Sequence, residues 1–359
     1  MNRSVLPDTR SLLPGFRHPG VLAALGAALL FGGGTPFAKL LLGSISPWLL
    51  AGLLYLGSGI GLTVYRVMRA APSARLSMAE WPWLAGAVLF GGVAGPVLLL
   101  FGLKGMPASG ASLLLNAEGF LTALIAWFVF RENFDRRIAL GMVLIVAGAV
   151  VLTWPGEARF SGMMPALFVV GACLAWAIDN NFTRKVSLAD ASWIAAIKGL
   201  VAGSVNLAIA FVLGAGMPSL PAITGALAVG GLSYGASLAL FVVALRHLGT
   251  ARTGAYFSLA PFFGASIAIL VLGESISTGF VIAGGLMAVG VWLHLTERHD
   301  HLHDHDAIQH EHSHVHDEHH QHEHAEPVAP GVRHTHKHKH ETLAHSHAHY
   351  PDAHHQHRH

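Results

Sequence analysis

Between His299 and His324 histidine falls at almost every second position, in the run HDHLHDHDAIQHEHSHVHDEHHQHEH. Neutral imidazole is a ligand for zinc, nickel and copper(II), and tracts of this kind bind such ions. The candidate ligands are His299, His301, His303, His305, His310, His312, His314, His316, His319, His320, His322 and His324. Of 26 histidines in the chain, 23 lie from His299 onward, so this chemistry is confined to one end. Asp and Glu are interspersed there and apolar residues are nearly absent. Such a segment cannot bury enough surface to offset its ordering entropy, and residues 297–359 are expected to form a disordered tail. The metal, not the fold, then sets the ligand geometry. Several ions of Zn, Ni or Cu are expected on it, released as imidazole protonates near pH ~6.5. A polar, pH-responsive tail with incidental metal affinity is the plain alternative.

A second set of groups lies inside long apolar runs. Glu118 and Asn116 stand in LLNAEGF, Asp179 and Asn180 in WAIDNNFTRK, and Lys198 in AAIKGLV. An ionisable group at membrane depth costs about 2.5–3.5 kcal/mol on insertion scales, so it faces a partner or a cavity. The expected roles are substrate binding and proton coupling, with Glu118 and Lys198 bridging two halves of the molecule. A purely structural ion pair is the alternative. For Asp179 the alternative is neutralisation of Arg184 or Lys185 near the interface. Lys39 and Arg184 are expected to snorkel from helix ends. No nucleophile elbow, phosphate-binding Gly-rich loop or His-Glu-x-x-His occurs in the membrane part, so no enzyme is expected. No basic cluster with interleaved aromatics points to nucleic acid. The single cysteine, Cys173, reads as a buried structural thiol.

The elements that must hold these groups are membrane helices. Of 359 residues 53% are hydrophobic and 12% charged, against about 25% charged in soluble domains. Ten stretches approach the roughly 20 apolar residues that cross a bilayer. They are 20–42, 46–66, 82–103, 108–130, 138–154, 163–183, 191–213, 222–245, 252–272 and 279–296. The first run is too long for the core of a cleavable signal and is expected to be a retained span. With a cytoplasmic N-terminus, 14 Lys and Arg flank the spans on the cytoplasmic side and 3 on the other, which sets the orientation. The expected organisation is a cytoplasmic segment 1–19, a first five-helix unit 20–154, a second 163–296 and the tail 297–359.

Shifting the chain by 142 residues lays NAEGFLTALIAWFVFRENF on SLAPFFGASIAILVLGESI, matching Phe120 with Phe262, Ile125 with Ile267 and Glu132 with Glu274. Near the start of each half the shift is 145, and Phe37 meets Phe182, Lys39 meets Arg184 and Trp48 meets Trp193. Five spans per unit is odd, so the second unit enters from the opposite face, an arrangement typical of transporters. The fold class expected is an all-α polytopic membrane protein of ten transmembrane helices in two inverted five-helix repeats. Together with the turns FRENFDRR and LGESISTG, this duplication resembles the drug/metabolite transporter superfamily, EamA type, over residues 20–296. The resemblance implies secondary active export of small organic metabolites by alternating access, with no cofactor required. The implied partners are the lipid bilayer of the inner membrane and a small-molecule solute, with divalent metal ions on the tail. Two alternatives stay open: a transporter of Ni, Co or Zn, and a metal-sensing membrane protein without transport.

The charge asymmetry generates a direct expectation. Cysteines introduced at Ser4 and Ser346, in a Cys173→Ala background, should both resist an impermeant maleimide in intact cells and react after permeabilisation. Labelling of either from outside would overturn the topology.

Overall fold

The computed structural model describes residues 19–71, 76–130, 136–153, 163–186, 190–295, 300–305, 309–314, 334–339 and 343–348. The N-terminal segment before Pro19, residues 131–135 and the tail histidines His299, His316, His319, His320, His322 and His324 lie outside these residues. The first of two compact units, ending at Glu297, is built from helices, and the second begins at Arg298.

The first unit runs α1 (Pro19–Leu41), α2 (Pro47–Met68), α3 (Trp81–Ala87), α4 (Gly95–Gly105), α5 (Ala108–Leu114), α6 (Ala117–Phe130), α7 (Arg136–Thr153). It continues with α8 (Met163–Lys185), α9 (Ala191–Val212), α10 (Leu220–Gly230), α11 (Ser237–Phe257), α12 (Ala260–Leu272), α13 (Thr278–Leu295). Proline opens several of these helices at the first or second position, where its missing N–H has no partner to lose. Six stretches are long and apolar enough to cross a membrane: 19–41, 47–68, 81–105, 163–183, 191–212 and 220–244. Shorter apolar helices cover 139–152, 260–272 and 278–293. Large apolar side chains such as Leu22, Val143 and Leu270 are exposed around the bundle, as lipid-facing positions are. This is a multi-pass helical membrane protein.

The ten expected spans are not ten plain helices. The fourth, 108–130, is broken between α5 and α6 at Leu115–Asn116, and the ninth, 252–272, between α11 and α12 at Ser258–Leu259. The third and eighth each contain a π-helical turn, Val88–Ala94 and Gly231–Ala236. The shift of 142 residues relates break to break and π-turn to π-turn within one residue. Asn116 shows why the fourth span breaks. Its side-chain amide donates to the Leu113 carbonyl at 2.9 Å, offering the backbone an alternative to the helix ladder.

Helices in equivalent places in the two halves pack antiparallel to one another. In the α2–α9 crossing, Gly52 meets Leu207, Gly59 meets Leu200 and Gly203 meets Leu56. In the α7–α13 crossing, Gly148 meets Ala283 and Met287, and Gly290 meets Gly141 and Ile145. The α2–α9 contact is closed at one end by an ion pair between Arg66 and Asp190, the N-cap of α9. Burial alone would raise the Asp190 carboxyl. Hydrogen bonds from Ser192 Oγ and the Trp193 N–H, with the Arg66 charge, outweigh it and hold the carboxyl below its ordinary value. The main apolar core, including Leu54, Leu100, Leu114, Val169 and Met287, joins both halves, with smaller clusters around Val21 and Ala244 and around Leu84 and Ile194.

The second unit is described at four stretches. Four strands, β1 (Asp300–His305), β2 (Gln309–His314), β3 (His334–Lys339) and β4 (Leu343–Ala348), pair as two antiparallel ribbons, β1 with β4 and β2 with β3. Alternation of histidine with another residue has the period of a pleated strand. The register sets His301 opposite His347, His303 opposite His345 and His312 opposite His336.

The crossing of α2 and α9 supplies a stability prediction. A Cβ on Gly199 would lie 2.7 Å from the Gly59 backbone, which cannot give way, whereas one on Gly285 meets nothing within 4 Å. Gly199→Ala should lower unfolding stability in detergent by about 1–3 kcal/mol. Gly285→Ala should leave it unchanged. Equal melting temperatures would refute this close contact.

Candidate functional site

Helix α8 presents Trp176, Asp179, Asn180 and Thr183 at helical spacing, so they share one face. Three elements meet that face. From α9, Lys198 Nζ donates to both Asp179 oxygens, at 2.5 and 2.6 Å, and to Thr183 Oγ1 at 3.3 Å. Thr183 Oγ1 in turn donates to Asp179 Oδ1 at 2.8 Å. From α6, Glu118 Oε1 accepts from Asn180 Nδ2 at 2.9 Å, and Thr122 Oγ1 accepts from the same amide at 3.2 Å. From the first π-turn comes Gly91. A Cβ there would sit 1.8 Å from Asp179 Oδ2, so only glycine admits the carboxylate.

The π-turn also frees backbone carbonyls, and side chains from other helices take them up. The Gly91 carbonyl accepts from Tyr55 Oη at 2.6 Å and Trp176 Nε1 at 3.0 Å. The Gly92 carbonyl accepts from Asn206 Nδ2 at 2.9 Å. Below the break in the fourth segment, the Leu114 carbonyl accepts from the Cys173 thiol at 3.6 Å. Cys173 is fully buried, and this contact is its structural role.

The pairing differs from the one expected. Lys198 is bound to Asp179, not Glu118, and the hydrogen-bond partner of Glu118 is the neutral Asn180. Asp179 pairs with Lys198, and the Arg184 side chain lies outside the described residues. The reason for the pairing is geometric. Helices α8 and α9 both pack against the first π-turn, and across it the long Lys198 side chain reaches the Asp179 carboxylate. Asn116 is not part of the cluster; it serves the helix break and approaches Met287 Sδ at 4.0 Å. Tyr55, Trp176, Thr122, Thr183 and Gly91 were not singled out from the sequence. Thr183 at four residues from Asp179, and Thr122 at four from Glu118, are the spacings that could have found them.

Lys39 is not a snorkelling end either. It donates to the carbonyls of Leu103 and of Met106, the latter at 3.0 Å, at the turn between α4 and α5. The same turn is held from α12. Gly273 adopts φ +66° and ends that helix, and the adjoining Glu274 carboxylate accepts the N–H groups of Ala108 and Ser109 at 2.7 and 2.8 Å. The Gly-Glu turn of LGESISTG therefore terminates one helix and caps another.

The EamA-like transporter family model matches the chain twice, over residues 18–154 and 163–296. A Methanothermobacter thermautotrophicus protein named "Uncharacterized transporter" is 31% identical over 294 residues, covering 76% of this chain and 85% of that protein. An Escherichia coli protein named "Probable amino-acid metabolite efflux pump" is 26% identical over 178 residues, covering 47% of this chain and 54% of its own length. A crystal structure at 18% identity aligns with a TM-score of 0.58, over 77% of this chain and 96% of that one, which concerns the fold alone.

The Asp179 and Lys198 side chains are 10% and 16% exposed, so their pairing is tested by a double-mutant cycle. Removing one member of a buried pair costs about 3–5 kcal/mol, while removing both avoids a lone buried charge. Asp179→Asn and Lys198→Met should each destabilise the detergent-solubilised protein strongly, and the double variant should recover most of the loss. Additive losses would show that the two do not act as a pair.

Proposed function

The chain belongs to the EamA-like transporter family, and from that membership we propose that it exports small organic solutes by secondary active transport, through alternating access. The observation that carries this reading is the cluster of Glu118, Asn180, Asp179 and Lys198 between helices of both halves. Ionisable groups at membrane depth mark substrate and proton pathways. Lys198 is matched by Asp179, which leaves the Glu118 carboxylate, held by a neutral amide, to take a proton or the cationic group of a solute.

Alternating access is supported by the antiparallel packing of equivalent helices, the arrangement of an inverted repeat, in which two halves rock about a shared site. Ten membrane-crossing segments, two of them broken, and both termini in the cytoplasm complete this reading. The name of the Escherichia coli relative makes amino acids and their derivatives the first solutes to test. The tail is an appendage that takes up Zn, Ni or Cu(II) through its imidazoles and is not required for movement of the organic solute.

Glu118→Gln keeps the shape and the hydrogen bond while removing the titration. At equal membrane levels, cells carrying it should lose net export of amino-acid metabolites into the medium. A chain ending at residue 298 should export normally. Wild-type rates in Glu118→Gln would place the coupling site elsewhere, and loss of organic export on tail removal would favour a metal-linked function.

A further inference from the structure

The two halves carry the same pair of irregularities, a π-turn in the third segment and a break in the fourth, but line them with different chemistry. In the first half they meet Asp179, Lys198 and Glu118. There the rings of Tyr55, Trp176 and Phe182 lie beside the charges, whereas in the second half the described neighbours are aromatic. Tyr234, within the π-turn, packs edge-on against Phe31 of α1 at 5.8 Å between centroids. Phe31 packs on Phe257, immediately before the second break, at 5.2 Å, and Phe257 on Phe241 at 4.9 Å. Tyr55 belongs to both groups. Its ring lies 5.8 Å from that of Tyr234, while its hydroxyl donates to Gly91 beside Asp179. Phe31, Tyr55, Tyr234 and Phe257 are each only half-buried, as are Glu118 and Lys198.

We propose that these are two poles of one bipartite binding site, taking an amphipathic amine: an ammonium group at Glu118 and an apolar ring or chain against Phe31, Tyr234 and Phe257, with Tyr55 joining the poles. This rests on the transport reading above and specifies its solute class. Charge complementarity selects the head. The ionised polar pole holds two carboxylates and one ammonium, a net charge of −1 that a monocation neutralises. Aromatic packing selects the body, since rings prefer the edge-on contacts that Phe31 and Tyr234 present. The break supplies the position: discontinuous helices near mid-membrane are where transporters of repeated architecture bind solute. Either pole alone discriminates weakly, whereas the pair rejects a small amine and an apolar acid alike.

The test uses the full chain in detergent and in proteoliposomes. The probes are phenethylamine, ethylamine and 3-phenylpropionate, read by thermal stabilisation and by competition with export. Phenethylamine should bind at least about ten-fold more tightly than ethylamine, and 3-phenylpropionate should not bind. Tyr234→Leu, which keeps an apolar body, and Phe31→Leu should each narrow the gap between the two amines without changing ethylamine affinity. Glu118→Gln should weaken both amines equally. Equal binding of the two amines, binding of the acid in place of the amine, or binding of no probe would overturn the bipartite site. Those results leave the transport reading standing wherever metabolite export still depends on Glu118; absence of any export overturns that reading instead.

Discussion

A polar backbone group in hydrocarbon has no water to turn to, so every irregularity in a membrane helix must be answered from within the protein. Among the described residues this protein departs from straight helices at two breaks and two π-turns, and partners meet freed carbonyls at both deviations of the first half. Asn116 takes the Leu113 carbonyl and Cys173 the Leu114 carbonyl at the break. Tyr55 and Trp176 take that of Gly91, and Asn206 that of Gly92, at the π-turn. Cys173, Trp176 and Asn206 come from the second half. Satisfying the backbone of one half is therefore work done by the other, and the two cannot separate at these points without stranding polar groups.

The same constraint explains where the chemistry sits. A π-turn widens the helix and brings a carbonyl and a glycine face to the interior, and Gly91 makes room for the Asp179 carboxylate. Once Asp179 is placed there, Lys198 neutralises it, and the Glu118 carboxylate is left with the neutral Asn180 amide. At the far end of the fold, Lys39 and Glu274 hold the short turn between α4 and α5 from two directions. That end is fastened by a few polar contacts that can be exchanged for water, whereas the glycine-lined crossings of α2 with α9 and α7 with α13 are packed to backbone contact.

Much of the architecture was legible in the sequence because it is written in long-range features. Apolar length marked the segments, register at 142 residues marked the duplication, and the rarity of deep charges singled out Glu118, Asp179 and Lys198. The partners were not legible. A helix that is apolar all round gives no periodic signal to orient it, so Glu118 and Lys198 were matched by depth alone. The packing of α8 and α9 on the π-turn, which sets Asp179 within reach of Lys198, has no counterpart in hydropathy. The break at Asn116 and the π-turn at Gly91 leave no mark in hydropathy. Tyr55 and Trp176 read as ordinary aromatic content until the carbonyl they serve is seen. In the tail, the period-two alternation of histidine, plain in the sequence, is what the paired strands follow.

The central claim is that the cluster on α8 is reached in turn from the two faces of the membrane. The direct measurement is labelling of Asn180→Cys, in a Cys173→Ala background, by an impermeant maleimide applied to either face of sealed vesicles. The unmodified protein should react from both faces. Once cysteines at Lys39 and Met106 are joined by a short bifunctional reagent, it should react from one face only. Labelling from a single face without that lock, or from both faces with it, would contradict alternating access about this site.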